Sequence, residues 1–191
     1  APKLSSDDHP QVLHPCHVNM NVEIMAMYLQ KVLPSLTIDG SEDEHGGSCV
    51  EADIKVLQAI SKRVHYGFHV AEAKFQAQEA QYAELILAQN TDKMMELLTN
   101  ETVEALVLQR VHLKARTFGK ELRIDMGERR PSDAFAESSS ARVDPLLFMG
   151  LYRDHIIPLT KVAEIRYLLQ RRSTATVAHH GGHGSACQRA T

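Results

Sequence analysis

The sequence lacks three features that would point to particular classes of protein. No apolar run approaches the roughly 20 residues that cross a bilayer, so the sequence predicts no membrane span. The three cysteines, Cys16, Cys49 and Cys187, are odd in number and far apart, which argues against a disulfide framework and fits a reducing compartment. The net charge of −3 is close to neutral for 191 residues, so charge gives no argument for binding nucleic acid or a membrane surface.

The sequence also begins at Ala1, without a methionine or an apolar signal segment. Two expectations are compatible with this start: a leader peptide has been removed, or the sequence is part of a longer protein. Composition does not decide between them. The expected compartment is the cytoplasm or a plastid, and a secreted form stays open.

Helical periodicity is the strongest signal that the chain does carry. Hydrophobic residues make up 43% of it, enough for the core of one domain. We find no strand pattern and no internal repeat, so the predicted fold class is all-α, a bundle of long helices. The apolar spacing, the capping residues and the breakers predict helices over residues 21–33 with Pro34 as the stop, 50–76, 79–89, 92–98, 101–118 with Asn100 as the cap, and 144–172 with a bend at Pro158.

The chain divides into three predicted regions. Residues 1–20 hold three prolines and three histidines and read as an extended lead-in, and residues 21–172 form the helical domain. Residues 173–191 are rich in Gly, Ser, Thr and His, and we predict that they are disordered. Three of the tail histidines (His179, His180 and His183) offer a loose metal site as an alternative, but low-complexity composition favours the flexible tail.

Charges interrupt an apolar stripe on the longest predicted helix. Positions 60, 63, 67, 70 and 74 share one face, and two of them are the cations Arg63 and Lys74. These two side chains start about 16 Å apart along the helix, at ~1.5 Å per residue. A cation held between helices needs an anionic partner, because an unpaired buried charge is costly. Spacing alone favours the simpler alternative, in which both are solvated or form ion pairs.

Two other helices repeat this pattern with carboxylates. Glu104 lies four residues after Asn100, and Glu164 lies four residues after Thr160, each pair on a partly apolar stripe. Singly, each is an ordinary capping residue or ion-pair partner. Together, three such helices can line a polar pocket for a small acid inside a bundle. We find no nucleophile–base pair, no metal-ligand set in the body of the chain and no Gly-rich phosphate loop, so we expect neither metal nor cofactor.

Several segments resemble the fungal and plant chorismate mutases. They are residues 61–75 (SKRVHYGFHVAEAKF), 158–169 (PLTKVAEIRYLL), 98–104 (LTNETVE) and 127–130 (GERR), and the similarity runs in order from about residue 10 to 172. The resemblance implies a dimeric all-helical isomerase without cofactor. Such an enzyme converts chorismate to prephenate by an intramolecular Claisen rearrangement, in phenylalanine and tyrosine biosynthesis.

The resemblance also implies catalytic roles for four residues. Arg63 corresponds to an arginine that grips a substrate carboxylate, and Lys74 to a lysine that donates to the ether oxygen. Glu164 corresponds to the second group at that oxygen, and it can help there only when protonated. Glu104 corresponds to a residue that holds the substrate hydroxyl.

Four further positions have roles in binding by the same resemblance. Asn100 and Thr160 correspond to substrate contacts. Gly47 and Ser48 correspond to part of a site for an aromatic amino-acid effector. An alternative interpretation of these last two is a loop and a helix cap.

One departure from the family bears on activity. A second arginine of the family comes from a long N-terminal helix upstream of anything in this sequence. Chorismate carries two carboxylates, whereas Arg63 and Lys74, with Glu104 ionised and Glu164 neutral, give a net charge of only +1. The sequence therefore leaves two classes of function open: an active mutase, or a truncated non-catalytic relative that serves as a dimer partner or regulator.

Overall fold

The computed structural model describes residues 12–37, 46–119 and 144–180, and from residue 172 on it describes the backbone alone. These residues form helices, with no strand among them, so the predicted all-α fold class is confirmed. In chain order the elements are α1 (Asn21–Met27), the π-helical turn π1 (Tyr28–Val32), α2 (Leu33–Leu36), α3 (Gly46–His65), α4 (Gly67–Ala77), α5 (Glu79–Leu87), α6 (Thr91–Leu98), α7 (Glu101–Phe118), α8 (Pro145–Leu151), the π-helical turn π2 (Tyr152–Ile156) and α9 (Ile157–His180).

The predicted caps lie where the helices begin. The side chain of Asn100 accepts from the N–H of Val103 at 3.1 Å and so satisfies a free donor in the first turn of α7. Asp144 accepts from the N–H of Leu146 at 2.9 Å, and Pro145 follows it at the first position of α8. Capping chemistry thus fixes two of the boundaries that the sequence predicts.

The long helix predicted over residues 50–76 is two helices in the structure. It begins earlier than predicted, at Gly46, and α3 passes into α4 through Tyr66. The N–H of His69 bonds at 3.1 Å to the carbonyl of Tyr66, three residues back rather than four. The junction is therefore a tightened turn in a nearly continuous rod.

The prediction that Pro34 ends the first helix is wrong, because the helical backbone continues to Leu36. In a regular α-helix a proline ring meets the carbonyl four residues back. Here the turn before the proline is a π turn, in which the N–H of Leu33 bonds to the carbonyl of Tyr28, five residues back. In the wider π turn the backbone departs from the α-helical hydrogen-bond pattern immediately before Pro34, and this leaves room for the proline ring.

The same arrangement recurs at Pro158. The N–H of Ile157 bonds to the carbonyl of Tyr152, again five residues back, and the proline is the next residue. Pro158 thus directly follows a π turn, as Pro34 does, and the bend that the sequence predicts there stays a prediction.

The chain divides into two compact units, which we describe separately. The first consists of the chain up to Val22, the stretch Gln58–Thr99 and the chain from Leu159 on. The second consists of Glu23–Leu57 and Asn100–Pro158.

The first unit has a well-packed apolar core. Burying one large aliphatic or aromatic side chain contributes roughly 1.5–3 kcal/mol. Its largest fully buried side chains are Tyr82, Tyr167, Met20, Met94, Leu168 and Val64.

The lead-in is tied to this unit by its backbone. The N–H of His14 donates to the hydroxyl of Tyr167 at 2.9 Å, and the N–H of His17 donates to the side-chain oxygen of Gln170 at 2.8 Å. Further along, the N–H of Met20 donates to Nε2 of His65 at 3.1 Å. The described part of the lead-in, residues 12–20, contains no helix, and side chains of α3 and α9 accept from its backbone donors.

The second unit has a smaller core and more exposed apolar surface. Its core includes Ile24, Tyr28, Val32, Leu151 and Ile156. The helix α7 packs along α8 and π2, yet none of its residues is buried. Large apolar side chains of α7 remain exposed within the unit, among them Val103, Leu106 and Leu113.

Three predictions fall partly or wholly outside the described residues. The motif at residues 127–130 and the tail from residue 181 are not described. The helix α9 runs to His180, so its backbone enters the region for which the sequence predicts disorder. The division into lead-in, helical domain and tail stays a prediction.

Candidate functional site

A close approach between α4 and α9 forms the centre of the candidate site. A Cβ atom placed on Gly67 would lie 2.9 Å from Cγ2 of Thr160 and 3.1 Å from Cγ of Glu164. Because only glycine fits at that distance, α9 packs directly on the backbone of α4. Thr160 and Glu164 are 5% and 6% exposed, so both polar side chains are held at this contact.

The two predicted cations lie on the same face as Gly67. Arg63 is one helical turn before it on α3, and Lys74 is two turns after it on α4. Both side chains are half-buried. The first unit therefore brings Thr160 and Glu164 to the middle of a stripe with a cation towards each end.

Lys74 is anchored at the end of α6. Its Nζ donates to the carbonyl of Leu98, the last residue of that helix. A second lysine, Lys161 of α9, donates from Nζ to Oγ1 of Thr99 at 3.0 Å. Cations are favoured at helix C-termini, where the free carbonyls carry partial negative charge. An ammonium has three N–H donors, so the bond to Leu98 leaves Lys74 capacity for an anion.

Glu164 acts electrostatically on a neighbouring phenol. Tyr82 of α5 is buried, and its pKa is raised, first by that burial and then by the charge of Glu164. The carboxyl of Glu164 thus lies close enough to Tyr82 to disfavour a second negative charge. Tyr82 offers a means of following the position of Glu164.

The remaining predicted positions belong to the second unit. Asn100 is exposed and caps α7, and Glu104 is half-buried one turn later. Gly47 and Ser48 are exposed in the first turn of α3. The convergence of all six substrate positions on one cavity stays a prediction.

Comparison with known proteins shows which family the chain resembles. No family model matches the chain. It is 42% identical over 172 residues to chloroplastic chorismate mutase 1 of Zea mays, covering 89% of this chain and 53% of that protein. It is 37% identical over 173 residues to cytosolic chorismate mutase 2 of Zea mays, covering 90% of this chain and 66% of the relative.

Solved structures agree with the sequence comparison. The chorismate mutase of Candida albicans in complex with L-Trp superposes with a TM-score of 0.74 at 36% identity, covering 90% of this chain and 62% of that one. AtCM1 with tyrosine bound in its allosteric site superposes with a TM-score of 0.70 at 38% identity, covering 85% and 60%. The chain belongs to the eukaryotic chorismate mutase family. It spans about half to two thirds of the length of the relatives that it matches.

Within this chorismate mutase fold, a buried network that the sequence does not predict lies behind the candidate site. Glu72 of α4 is 3% exposed and bonds to Tyr167 and Arg171 of α9. The pairs Glu72/Gln76 and Tyr167/Arg171 are each spaced by four residues, the spacing of neighbours on a helix face. That spacing was the available signal, but it does not show that the two pairs face each other.

The outer face of α4 is open within the first unit. A shallow depression of about 390 Å³ runs along it, lined by Tyr66, His69, Val70, Ala73, Lys74 and Ala77. Lys74 thus borders both the contact with α6 and open space.

Two kinds of feature are absent from the described part of the chain, residues 12–37, 46–119 and 144–180. No group of three or more His, Cys, Asp or Glu side chains there is placed to hold a metal ion. No helix there is long and apolar enough to span a bilayer.

Proposed function

We propose that this chain carries a chorismate mutase site and rearranges chorismate to prephenate. The observation that carries the proposal is the buried carboxyl of Glu164, packed on α4 at Gly67, with Arg63 one turn before and Lys74 two turns after. In its protonated form, a carboxyl between two cationic side chains suits a small dianion whose bridging oxygen becomes negative during reaction. The relatives are named as mutases, which favours the catalytic alternative over the non-catalytic one.

The chemistry needs what these residue types supply. A Claisen rearrangement breaks one C–O bond and forms one C–C bond within a single molecule, without nucleophile or cofactor. The protein must hold the substrate in a compact chair and stabilise charge growing on the ether oxygen. Lys74 and a protonated Glu164 donate to that oxygen, and Arg63 holds a carboxylate through a two-point contact. By the resemblance to the family, Asn100 and Glu104 hold the substrate hydroxyl and a carboxylate region, and Thr160 contacts the substrate.

Charge balance sets the expected strength of binding. Chorismate has two carboxylates, and the arginine that serves the second one in the family comes from a helix upstream of this sequence. Lys161, anchored at Thr99 beside the end of α6, adds a cation to the first unit that the sequence analysis did not count. It raises the local positive charge without supplying a two-point carboxylate contact.

An assay of chorismate loss tests the proposal. The chain should be assayed alone and with an N-terminal extension taken from the corresponding part of maize chorismate mutase 1. We expect slow turnover and a high KM from the chain alone, and at least a tenfold gain in kcat/KM from the extension. The absence of prephenate in both forms, with both folded by circular dichroism, would exclude the proposed activity.

The effector site is proposed on the same basis. The Candida albicans structure holds L-Trp, and AtCM1 holds tyrosine in an allosteric site. Gly47 and Ser48, exposed in the first turn of α3, are the residues that we assign to such a site. Assays with added tryptophan, tyrosine or phenylalanine should change the rate, and Ser48→Ala should weaken the change. An unaltered effector response in that variant would refute the assignment.

Two further proposals concern the assembly and the compartment of the protein. We propose a homodimer, supported by the apolar side chains of α3 and α7 that the second unit leaves exposed, such as Ile54 and Leu113. Sedimentation velocity should give the mass of two chains.

The relatives include chloroplastic and cytosolic enzymes, so plastid and cytosol are the compartments we propose.

A further inference from the structure

A buried carboxylate network joins α4 to α9 behind the candidate site. Glu72 accepts from the hydroxyl of Tyr167 at 2.7 Å, from Nε2 of Gln76 at 3.0 Å and from Nη1 of Arg171 at 2.6 Å. Its side chain is 3% exposed. A carboxylate with donors from three side chains is held in one orientation, because each bond is directional.

The network keeps Glu72 ionised. Burial alone raises the pKa of Glu72, but the hydrogen bonds of Tyr167 and Gln76 and the charge of Arg171 together lower it below its ordinary value. Two aromatic contacts frame the ion pair. The ring of Tyr167 stacks on Phe68 with centroids 5.4 Å apart, and the guanidinium of Arg171 lies 3.8 Å from the centroid of Phe75.

The spacing along both helices connects this network to the site. On α4, Glu72 lies five residues after Gly67, about 7–8 Å along the axis. On α9, Tyr167 and Arg171 lie three and seven residues after Glu164, one and two turns on the same side of the helix. Two contact points, at Gly67 and at Glu72, therefore fix both the rotation and the height of α9 on α4.

We propose that Glu72 is a positioning residue for the rearrangement: through Tyr167 and Arg171 it sets α9 on α4, and so holds the carboxyl of Glu164 against Gly67. The proposal rests on the proposed function. Glu72 itself touches no substrate, because its oxygens are occupied by Tyr167, Gln76 and Arg171.

The consequence for catalysis lies in the rate more than in substrate binding. A donor misplaced by about 1 Å can cost roughly a hundredfold in rate, since catalysis depends on aligned reacting groups. Arg63, which we assign to a substrate carboxylate, lies on α3 and does not contact the network. Loss of Glu72 should therefore lower kcat and change KM little.

The decisive experiment is a double-mutant cycle. Glu72→Gln keeps the shape and removes the charge, and Glu164→Ala removes the group that Glu72 is proposed to position. Single-turnover rates with excess enzyme are measured for the parent, both single variants and the double variant, in the N-terminally extended form. Glu84→Gln, at an exposed position of α5, is the matched control.

The expected result is a loss that depends on Glu164. Glu72→Gln should lower the rate at least tenfold in the parent and less than twofold in the Glu164→Ala background. Tyr167→Phe, which keeps the ring stack and removes one donor, should give a smaller loss with the same dependence. Equal fold-losses in both backgrounds, or a Glu72→Gln rate equal to the parent, would overturn the proposal.

A second measurement separates this proposal from the proposed function. Because Glu164 raises the pKa of Tyr82, displacement of Glu164 should lower that pKa. Titration of ¹³C-labelled tyrosine by NMR should show the fall in Glu72→Gln, with Glu164→Gln giving its full extent and Glu84→Gln giving none. An unchanged Tyr82 titration in Glu72→Gln overturns the positioning step even where the enzyme is active. If the pKa of Tyr82 falls in Glu72→Gln but the enzyme shows no turnover, the result supports the positioning role of Glu72. It then counts only against the proposed reaction.

Discussion

At the scale of single residues, Lys74 lies next to open space, and its Nζ is held by the carbonyl at the end of α6. We predict that Lys74→Ala lowers the rate about a hundred- to a thousandfold, because losing a preorganised donor at a developing anion costs ~3–4 kcal/mol. The measurement is kcat for chorismate in the extended form. Lys62→Ala, at an exposed position of α3, should be near the parent. A loss of only twofold at Lys74 would assign that lysine to structure alone.

A different prediction concerns the protonation of Glu164, because an ionised carboxylate would repel the ether oxygen that Glu164 is proposed to stabilise. Activity of the parent should decline as the pH rises and Glu164 loses its proton. Glu164→Gln keeps an N–H donor at every pH, so it should remain active and lose that decline, whereas Glu164→Ala should be nearly inactive. A pH–rate profile of the three forms checks this, and a Gln variant as inactive as the Ala variant throughout would contradict the donor role.

Glu72 gives a prediction about stability and pH. Its pKa is lowered in the folded state, so its contribution to stability is present above the unfolded value near 4.5 and is lost as the pH falls through the folded value. We expect Glu72→Gln to cost up to about 3 kcal/mol at pH 7, because the buried charge that pairs with Arg171 is removed. The cost should shrink as the pH falls through the folded pKa of Glu72. Denaturant unfolding at pH 7 and over a series of acidic pH values measures it, and a cost independent of pH would show that the ion pair does not contribute.

Some residues of the site can be recognised from the sequence, and others cannot. Arg63, Lys74 and Glu164 interrupt apolar stripes, and that pattern is local, so it can be recognised along one helix. Glu72 could not be found in that way, since its partners Tyr167 and Arg171 lie 95 and 99 residues further along the chain. Before the fold is known, Glu72 is one more charge on a helix.

At the scale of helices, local chemistry predicts most boundaries. Capping by Asn100 and Asp144 marks the starts of α7 and α8 in the sequence as it does in the structure. The break at Tyr66 and the two π turns were not predicted. They depend on hydrogen-bond partners three or five residues back, and the periodicity of apolar residues is too coarse to distinguish these from a regular turn.

Gly67 provides the prediction at this scale. Adding a methyl group places it 2.9 Å from Cγ2 of Thr160, so Gly67→Ala should destabilise the chain by about 1–2 kcal/mol, despite the better helix propensity of alanine. Thr160→Ser removes that Cγ2 atom, and the double variant should recover part of the loss. Denaturant midpoints give the comparison. Greater stability of Gly67→Ala than of the parent would mean that α9 moves away without cost.

At the scale of the whole molecule, the first unit draws on three stretches of the chain that are distant in sequence. The lead-in before Val22 belongs to it and is held by backbone donors. Composition predicted an extended segment at residues 1–20 but not its attachment, because side chains of the distant α9 accept those bonds.

Removing the lead-in should therefore loosen α9 selectively. Deletion of the chain through His17 removes the bonds to Tyr167 and Gln170, each contributing about 0.5–1.5 kcal/mol. Hydrogen exchange followed by mass spectrometry should show faster exchange in α9 and unchanged exchange in α7. A shorter deletion that ends before Val12 keeps both bonds and is the control. Equal exchange in the two deletions would show that the lead-in does not hold α9.

The two π turns bear on how this chain can change length over evolution. Deleting one residue from a regular helix rotates everything after it by about 100°, which re-aims every following side chain. A π turn holds one residue more than an α turn, so a single deletion within residues 152–156 can close it to a regular turn and leave the rest of α9 facing as before. Without the π turn, the ring of Pro158 would clash with the carbonyl four residues before it. Shortening this helix in homologous chains should thus go together with replacement of the proline.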